Sequence, residues 1–394
     1  MSERLFHLAE APFQAARRIA ALAPGHRAGR LHGHSFSARA LAELPPGWGG
    51  FDGAETEALD VLLKRVIDPL DYADLNAHLP LPTDASLAVW LRTRLGNALQ
   101  APAAIAQVGI QSTADQGVEL VDGEAPGDDQ RVYWWRRFEL EAAHRLVNVP
   151  ADHPCGRMHG HGFAVRLLVA LDRSSDQGPI DDAASGQIGE SGALGDAQLD
   201  ALWAPLHERL DHRCLNDVPG LENPTSERLA HWLWERLKPQ LPALAQVSVY
   251  ETATAGCHYD GQTYRIWKEM RFESALRLRN APDGDARRRL HGHSYRLRLH
   301  LTAPLDEVLG WTVDYGDVKR LFKPVYDELD HHELNELEQL SDPSAANLAL
   351  WIREQVVGSL PQVDRLELTE RKGRGVLLSW DAVAPSNGKP RLPL

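Results

Sequence analysis

Two histidines separated by one glycine occur three times in this chain, as RLHGHSF at Arg30–Phe36, RMHGHGF at Arg157–Phe163 and RLHGHSY at Arg289–Tyr295. In a strand, residues i and i+2 point to the same side, so each phrase can present two imidazoles together, with the glycine leaving the face between them open. Around the middle copy stands a fuller chemical kit. His144, in EAAHRL on the preceding strand, joins His159 and His161 to make three neutral imidazoles. Three such ligands with an open fourth position make a catalytic rather than a structural site for Zn2+, which would act there as a Lewis acid on a substrate oxygen. Cys155 stands four residues before His159, close enough to face the same pocket. A bound cation would bring its pKa below the free value of about 8.5, favouring a thiolate that acts as base or nucleophile. Asp211-His212 follows in LDHRCLN, an aspartate that can set the tautomer of its neighbour for proton shuttling. Glu251, in VSVYET, is a strand-end carboxylate able to accept paired N–H donors from a heterocycle. Each of these groups alone has an ordinary structural explanation. Their concurrence in one unit points to chemistry.

The outer copies lack most of that kit. In the first, Arg17 stands in the place of His144, Ala28 of Cys155, Tyr72 of His212 and Ser112 of Glu251, leaving His32 and His34 alone. In the third, Leu276 and Arg287 replace the first histidine and the cysteine, while His291, His293, Asp330-His331 and Glu370 are kept. Zinc and base are therefore expected in the middle copy. Asp330, His331 and Glu370 are candidates to be lent to it across a shared interface; the rival assignment gives those roles to Asp211, His212 and Glu251, of the same chain or of a second one.

The elements that must position these residues recur in a fixed order. In the middle copy, aromatic and β-branched residues at Tyr133–Glu139 read as a strand, and AVRLLVAL after the histidine phrase as a second. Helical patterns follow at about Ala197–Leu210 and at Ser226–Leu237, the latter opened by a Pro-Thr-Ser-Glu cap, and Ala245–Thr252 closes the unit as a strand. The unit is thus ββααβ(β), an α+β repeat whose antiparallel sheet carries its helices on one face. From Arg30 to Arg157 is 127 residues and from Arg157 to Arg289 is 132, a domain period. Three tandem domains are expected, at 1–130, 131–262 and 263–394. The first boundary is the acidic, Gly/Pro-containing linker Asp122–Gln130; the second is only the turn Asp260–Gln262, so that one repeat's last strand leads almost directly into the next repeat's first. Three such sheets can close their open edges by joining into a pseudo-threefold barrel with helices outside. The Gly/Ser/Asp-rich insertion Asp172–Gly195 reads as a mobile surface loop.

With a formal net charge of -13 over 394 residues, neither nucleic acid nor an anionic membrane surface is expected as partner. An anionic substrate then needs a local basic patch, for which Arg145, Arg157 and Lys268 are available. Three cysteines, an odd number, and no apolar leader after Met1 suggest reduced thiols in the cytoplasm. No stretch approaches the ~18 apolar residues of a membrane span.

FELEAAHRL, CGRMHGHGF, LDHRCLNDVPGLENPTSE and VYETATAGCHY resemble the 6-pyruvoyl-tetrahydropterin synthase superfamily, most of all its queuosine-pathway branch, the 6-carboxy-5,6,7,8-tetrahydropterin synthases. The Cys-x-x-x-His-Gly-His spacing favours that branch, and the likeness covers nearly all of the middle repeat. It implies a tunnelling fold, zinc on His144, His159 and His161, and conversion of 7,8-dihydroneopterin triphosphate to 6-carboxytetrahydropterin with release of acetaldehyde and triphosphate. By the same resemblance Cys155 is the catalytic base, Asp211 and His212 complete its proton relay, and Glu251 anchors the pterin ring. It also implies sites at subunit interfaces in rings of three, hence one ring from a single chain and a homodimer of two stacked rings. Rival readings are a 6-pyruvoyltetrahydropterin synthase-like lyase and a non-catalytic pterin-binding or assembly protein. The chain departs from the family pattern at Gly-x-x-x-Asp-Phe, which is clear in repeat three as GWTVDYGDVK but displaced or lost in the insertion of repeat two.

Overall fold

On the first strand Ala9, Ala11, Phe13 and Ala15 are buried while Pro12 and Gln14 are exposed, the two-residue period of a sheet with one face against a core. A computed structural model describes this chain over residues 3–20, 22, 25–100, 104–122, 130–171 and 187–380, the side chains of 187–196 excepted. Repeat one contributes strands β1 (Glu3–Arg17), β2 (His32–Ala42), β3 (Ile105–Thr113) and β4 (Gln116–Val121). Repeat two contributes β5 (Arg131–His144), β6 (His159–Leu171), β7 (Leu244–Thr252) and β8 (Ala255–Tyr259). Repeat three contributes β9 (Tyr264–Leu276), β10 (His291–Thr302), β11 (Val363–Arg371) and β12 (Arg374–Trp380). A pair of helices fills the gap between each repeat's second and third strands: α1 (Glu55–Ile67) and α2 (Asp84–Leu99), α3 (Gln187–Leu210) and α4 (Ser226–Leu237), α5 (Tyr315–Leu329) and α6 (Ala345–Val356).

Each of these strands pairs antiparallel with the next in the chain, across the repeat boundaries as well as within them. β12 then pairs with β1, from Glu3 opposite Trp380 to Ala9 opposite Arg374, and closes the sheet on itself. The expected α+β architecture is what the chain adopts: three repeats, one barrel, helices outside. Closure satisfies the backbone groups that a lone four-stranded sheet would leave open at its edges.

Helix α4 shows why the helices lie where they do. Thr225 caps it, its hydroxyl accepting the Arg228 N–H at 3.2 Å, and Leu229, Ala230, Trp232, Leu233 and Leu237 form a buried stripe against the sheet. Each large apolar side chain so buried contributes about 1.5–3 kcal/mol. The cores of repeats one and two merge into one cluster beneath the helices, and repeat three has its own. Among the described residues no helix is long and apolar enough to cross a membrane.

Two sequence expectations need amendment. Helix α3 starts at Gln187, so the end of the insertion read as a loop is helical; its stretch 172–186 lies outside the described residues, as does 123–129 of the first linker. The strands of repeat two also run further than the aromatic and aliphatic runs suggest, because backbone pairing continues through Glu141–His144 and starts again at His159. That extension carries the histidines to the barrel's end.

Candidate functional site

Pairing of β5 with β6 sets His144 directly opposite His159, and His161 follows two residues on, on the same face. The three rings lie 4.5, 5.2 and 5.0 Å apart between centroids for the pairs 144–159, 144–161 and 159–161. His144 Nδ1 lies 3.0 Å from the carbonyl of Pro224 and His159 Nδ1 lies 2.7 Å from that of Arg157. A carbonyl only accepts, so each Nδ1 carries the proton and each Nε2 is left with a free lone pair. His144 is 1% exposed, and its Nε2 is buried without a partner. Glu251 turns Oε1 toward this point, 3.5 Å from His161 Nε2 and 3.9 Å from His144 Nε2, while its Oε2 accepts the Ser226 hydroxyl. The four ligand atoms lie within 4.8 Å of one another, and this is the metal-capable cluster among the described residues. Burial holds His144 and His161 below the ordinary imidazole pKa, against the opposing pull of Glu251, and so keeps them in the neutral form that coordinates. An orphaned buried lone pair, fixed tautomers and a carboxylate beside them fit Zn2+.

Cys155 sits on the single 3-10 turn Pro154–Gly156, whose cap is His153: the imidazole Nδ1 accepts the Cys155 N–H at 3.2 Å. Burial pushes the thiol pKa up, and Glu251 and then Asp314 push it further. Asp314 belongs to repeat three. Its Oδ2 lies 3.2 Å from His153 Nε2, and its Oδ1 caps α5 by accepting the N–H groups of Gly316 and Asp317. The segment leading to it lies against repeat two. Asn148 and Asn223 donate to the carbonyls of Val308 and Leu309, Thr225 to that of Gly310, and Arg228 pairs with Glu307 at 2.6 Å. Thr312 donates its N–H to Glu227 Oε1 at 2.8 Å, and Trp311 lies 5.7 Å from the His153 ring. Glu227 is buried, which pushes its pKa up to about 7. Sequence reasoning missed His153, Glu227, Trp311 and Asp314 as members of the site. The one signal was GWTVDYGDVK, which the sequence offers only as the family pattern kept in repeat three.

The proton-relay candidates stand elsewhere. Asp211 Oδ1 accepts the Glu141 N–H at 2.8 Å, His212 donates its own N–H to the Glu141 carbonyl at 2.6 Å, and its ring Nδ1 is 2.7 Å from Asp211 Oδ2. Asp330 and His331 repeat the arrangement on Glu273, and Asp71 and Tyr72 on Gln14. All three second residues have positive φ, 53°, 62° and 54°. The aspartate is thus a turn-building residue in every repeat, and the turn thrusts the next side chain outward: His212 is 74% and His331 77% exposed in their side chains. Among the described residues none of the hydrogen bonds or ion pairs of Asp211, His212, Asp330 and His331 reaches Cys155. The Asp211 hydrogen bond raises the His212 pKa.

In each outer copy an arginine carries positive charge beside the corresponding positions. Arg17 donates to the carbonyl of Pro82, as His144 does to that of Pro224, and pairs with Asp84 at 2.6 Å; Asp84 in turn accepts the Ser112 hydroxyl. In repeat three Arg374 pairs with Glu370 at 2.7 Å, while Glu370 stays 3.9 Å from His293. Arg287, in the place of Cys155, pairs with Asp285 and with Glu57 of repeat one.

A family profile described as 6-pyruvoyl tetrahydropterin synthase matches residues 8–122, 133–262 and 265–379. A 6-carboxy-5,6,7,8-tetrahydropterin synthase of Synechocystis sp. is 38% identical over 126 residues, 32% of this chain and 90% of the relative. A dihydroneopterin monophosphate aldolase of Pyrococcus furiosus is 34% identical over 94 residues, 23% of this chain and 79% of the relative. The human 6-pyruvoyl tetrahydrobiopterin synthase is 30% identical over 140 residues, 32% of this chain and 90% of the relative.

Proposed function

The chain belongs to the 6-pyruvoyl tetrahydropterin synthase family, and from that membership we propose that its middle repeat is a zinc-dependent 6-carboxytetrahydropterin synthase. It would convert 7,8-dihydroneopterin triphosphate to 6-carboxy-5,6,7,8-tetrahydropterin, acetaldehyde and triphosphate, in queuosine biosynthesis in the cytoplasm. The observation that carries this reading is the buried, partnerless His144 Nε2, turned toward His161 and Glu251 beside the turn that holds Cys155.

Zinc on His144, His159 and His161 would supply electrophilic stabilisation of negative charge developing on the substrate's side-chain oxygens. Glu251, held by Ser226, accepts paired N–H groups of the pterin ring. Cys155 moves protons on and off neighbouring side-chain carbons, and the cap on His153 fixes the turn from which it reaches. Lys268, half-buried beside Glu251, offers charge to the triphosphate; desolvation and then Lys319 lower its pKa, a sign of two ammonium groups sharing one region.

Proton relay through Asp211-His212 or Asp330-His331 requires a second chain. Tyr72, His212 and His331 all project from the same end of the barrel, where Leu31, Met158 and Leu290 are also exposed. A second ring stacked on that rim would bring one of the exposed imidazoles to Cys155, so the working form is a homodimer of pseudo-trimeric rings.

The test is turnover. Zinc-loaded protein and Cys155→Ala are incubated with 7,8-dihydroneopterin triphosphate, and acetaldehyde and pterins are followed. Acetaldehyde and 6-carboxytetrahydropterin from the unmodified chain, with at least a hundredfold loss in Cys155→Ala, is the expected result at the scale of general acid–base catalysis. A pyruvoyl pterin without acetaldehyde would assign the 6-pyruvoyl reaction instead. Zinc and pterin bound without turnover would make the chain a binding protein.

A further inference from the structure

Glu251 and Glu370 are the penultimate residues of equivalent strands, β7 and β11, and differ in what stands four residues on. Arg374 follows Glu370 and pairs with its Oε1 at 2.7 Å, whereas the buried Ala255 holds that place after Glu251. Repeat three thus answers its carboxylate with a guanidinium where repeat two has a methyl group. Lys268 feels the charge of Glu251, but its ammonium donates to Thr254 at 3.3 Å.

Glu251 is turned instead toward ring nitrogens. Its Oε2 accepts the Ser226 hydroxyl, and its Oε1 points at His161 Nε2, 3.5 Å away, and at His144 Nε2, 3.9 Å away. The Pro224 carbonyl holds the His144 proton on Nδ1, so the buried, partnerless Nε2 presents a lone pair to a carboxylate oxygen. Two acceptors that face each other out of water cost free energy unless something positive lies between them. Both distances exceed a hydrogen bond and approach the edge of a coordination tetrahedron: bonds of about 2.0–2.2 Å to Zn2+ set ligand atoms about 3.3–3.6 Å apart. The metal-capable cluster among the described residues is made of His144, His159, His161 and Glu251, and the Cys155 thiol is not a member of it.

We propose that Glu251 is itself a ligand of the metal centre, its Oε1 closing, in the substrate-free protein, the position that the three histidines leave open. This rests on the zinc reading of the cluster and adds a fourth protein ligand to it. An Oε1 committed to the ion is not free for a pterin N–H, so Glu251 serves the ion while the pocket is empty and the heterocycle when it is filled.

Zinc affinity and the spectrum of the Co2+ form test this without turnover. Zinc is titrated against a chromophoric chelator into the full chain and into His144→Ala, Glu251→Gln and Glu251→Asp. The parent chain should bind one zinc ion. Glu251→Gln keeps the size of the side chain and an acceptor for Ser226 but removes the anionic ligand. It should bind zinc about tenfold or more weakly, since even outer-shell partners act on that scale, and the visible bands of its Co2+ form should move from those of the parent. Melting of the metal-free variant no lower than that of the metal-free parent certifies its fold. If it does not fold, Glu251→Asp, which shortens the reach of the carboxylate, should show the same losses in smaller measure. Parental zinc affinity in a folded Glu251→Gln, or Co2+ bands indifferent to it, overturns the proposal; with His144→Ala weakened, the three-histidine centre still stands. Affinity undiminished in His144→Ala, or no stoichiometric zinc in the parent, overturns the centre as well.

Discussion

His144 and Arg17 occupy the same place on two copies of one strand, and both donate to the carbonyl of the proline before the second helix. What differs is the charge delivered. The imidazole brings a lone pair and needs a cation to complete it; the guanidinium brings a permanent cation and needs Asp84. The exchange at that position is one difference between a cluster that could hold a metal and one that is electrostatically complete. Cys155 registers the same balance. Burial, Glu251 and Asp314 all raise its pKa, so the thiol without a cation is a poor base at neutral pH. A divalent ion on the neighbouring imidazoles opposes both carboxylates and lowers the pKa again. Alkylation of Cys155 by iodoacetamide, followed against pH, should therefore have its midpoint at higher pH after chelation than with zinc bound. At pH 7 the reaction should be several-fold slower in the chelated protein. Superimposable profiles would sever the thiol from the metal.

At the scale of elements, the decisive arrangement is a segment of repeat three laid against the site of repeat two. Asp314 has two jobs there. One carboxylate oxygen caps α5 and the other meets His153, whose far nitrogen anchors the Cys155 turn. Asp314→Asn keeps an acceptor for the cap and removes the charge beside His153; its melting temperature should stay close to that of the parent while kcat falls several-fold. Asp314→Ala loses the cap as well, about 1 kcal/mol of stability, and should lower both. A parental kcat in Asp314→Asn would reduce the contact to packing. None of this was legible in the chain, and the reason is sequence distance: His153 and Asp314 are 161 residues apart, and no local pattern encodes which loop covers which turn. The strands and helices themselves were legible, because period-2 runs such as AVRLLVAL and a cap such as Pro-Thr-Ser-Glu act locally. The three histidines were legible for the same reason. In Asp211-His212 the aspartate has a further part that the pair of residue types does not announce: it serves a positive-φ turn that recurs as Asp71-Tyr72, where there is no histidine to orient.

The whole molecule explains why two copies without a full site persist. A lone repeat of four strands has two open edges, and here every edge is consumed by the next repeat, the last by β12 against β1. The seam is apolar on its lumen side, where Phe6 and Leu8 of β1 pack with Leu41 and Leu377. Repeat one contributes no complete metal cluster among the described residues, yet it supplies both of these edges, and its Glu57 meets Arg287 and Arg374 of repeat three. The part the fold gives it is architectural: its outer strands pair with β5 and β12 and close the barrel in which Asp314 meets His153. A chain lacking residues 1–130 retains His144, Cys155, His159, His161, Glu251 and Asp314, but it exposes β5 and β12 as unpaired strands together with Leu377. Such edges recruit other chains. Light scattering on the truncated protein should find association or aggregation where the intact chain gives one defined species, and its turnover should fall at least tenfold although every proposed ligand and base is present. A truncated chain that stayed discrete and fully active would mean that repeats two and three make the site unaided, and that the barrel's closure serves something other than catalysis.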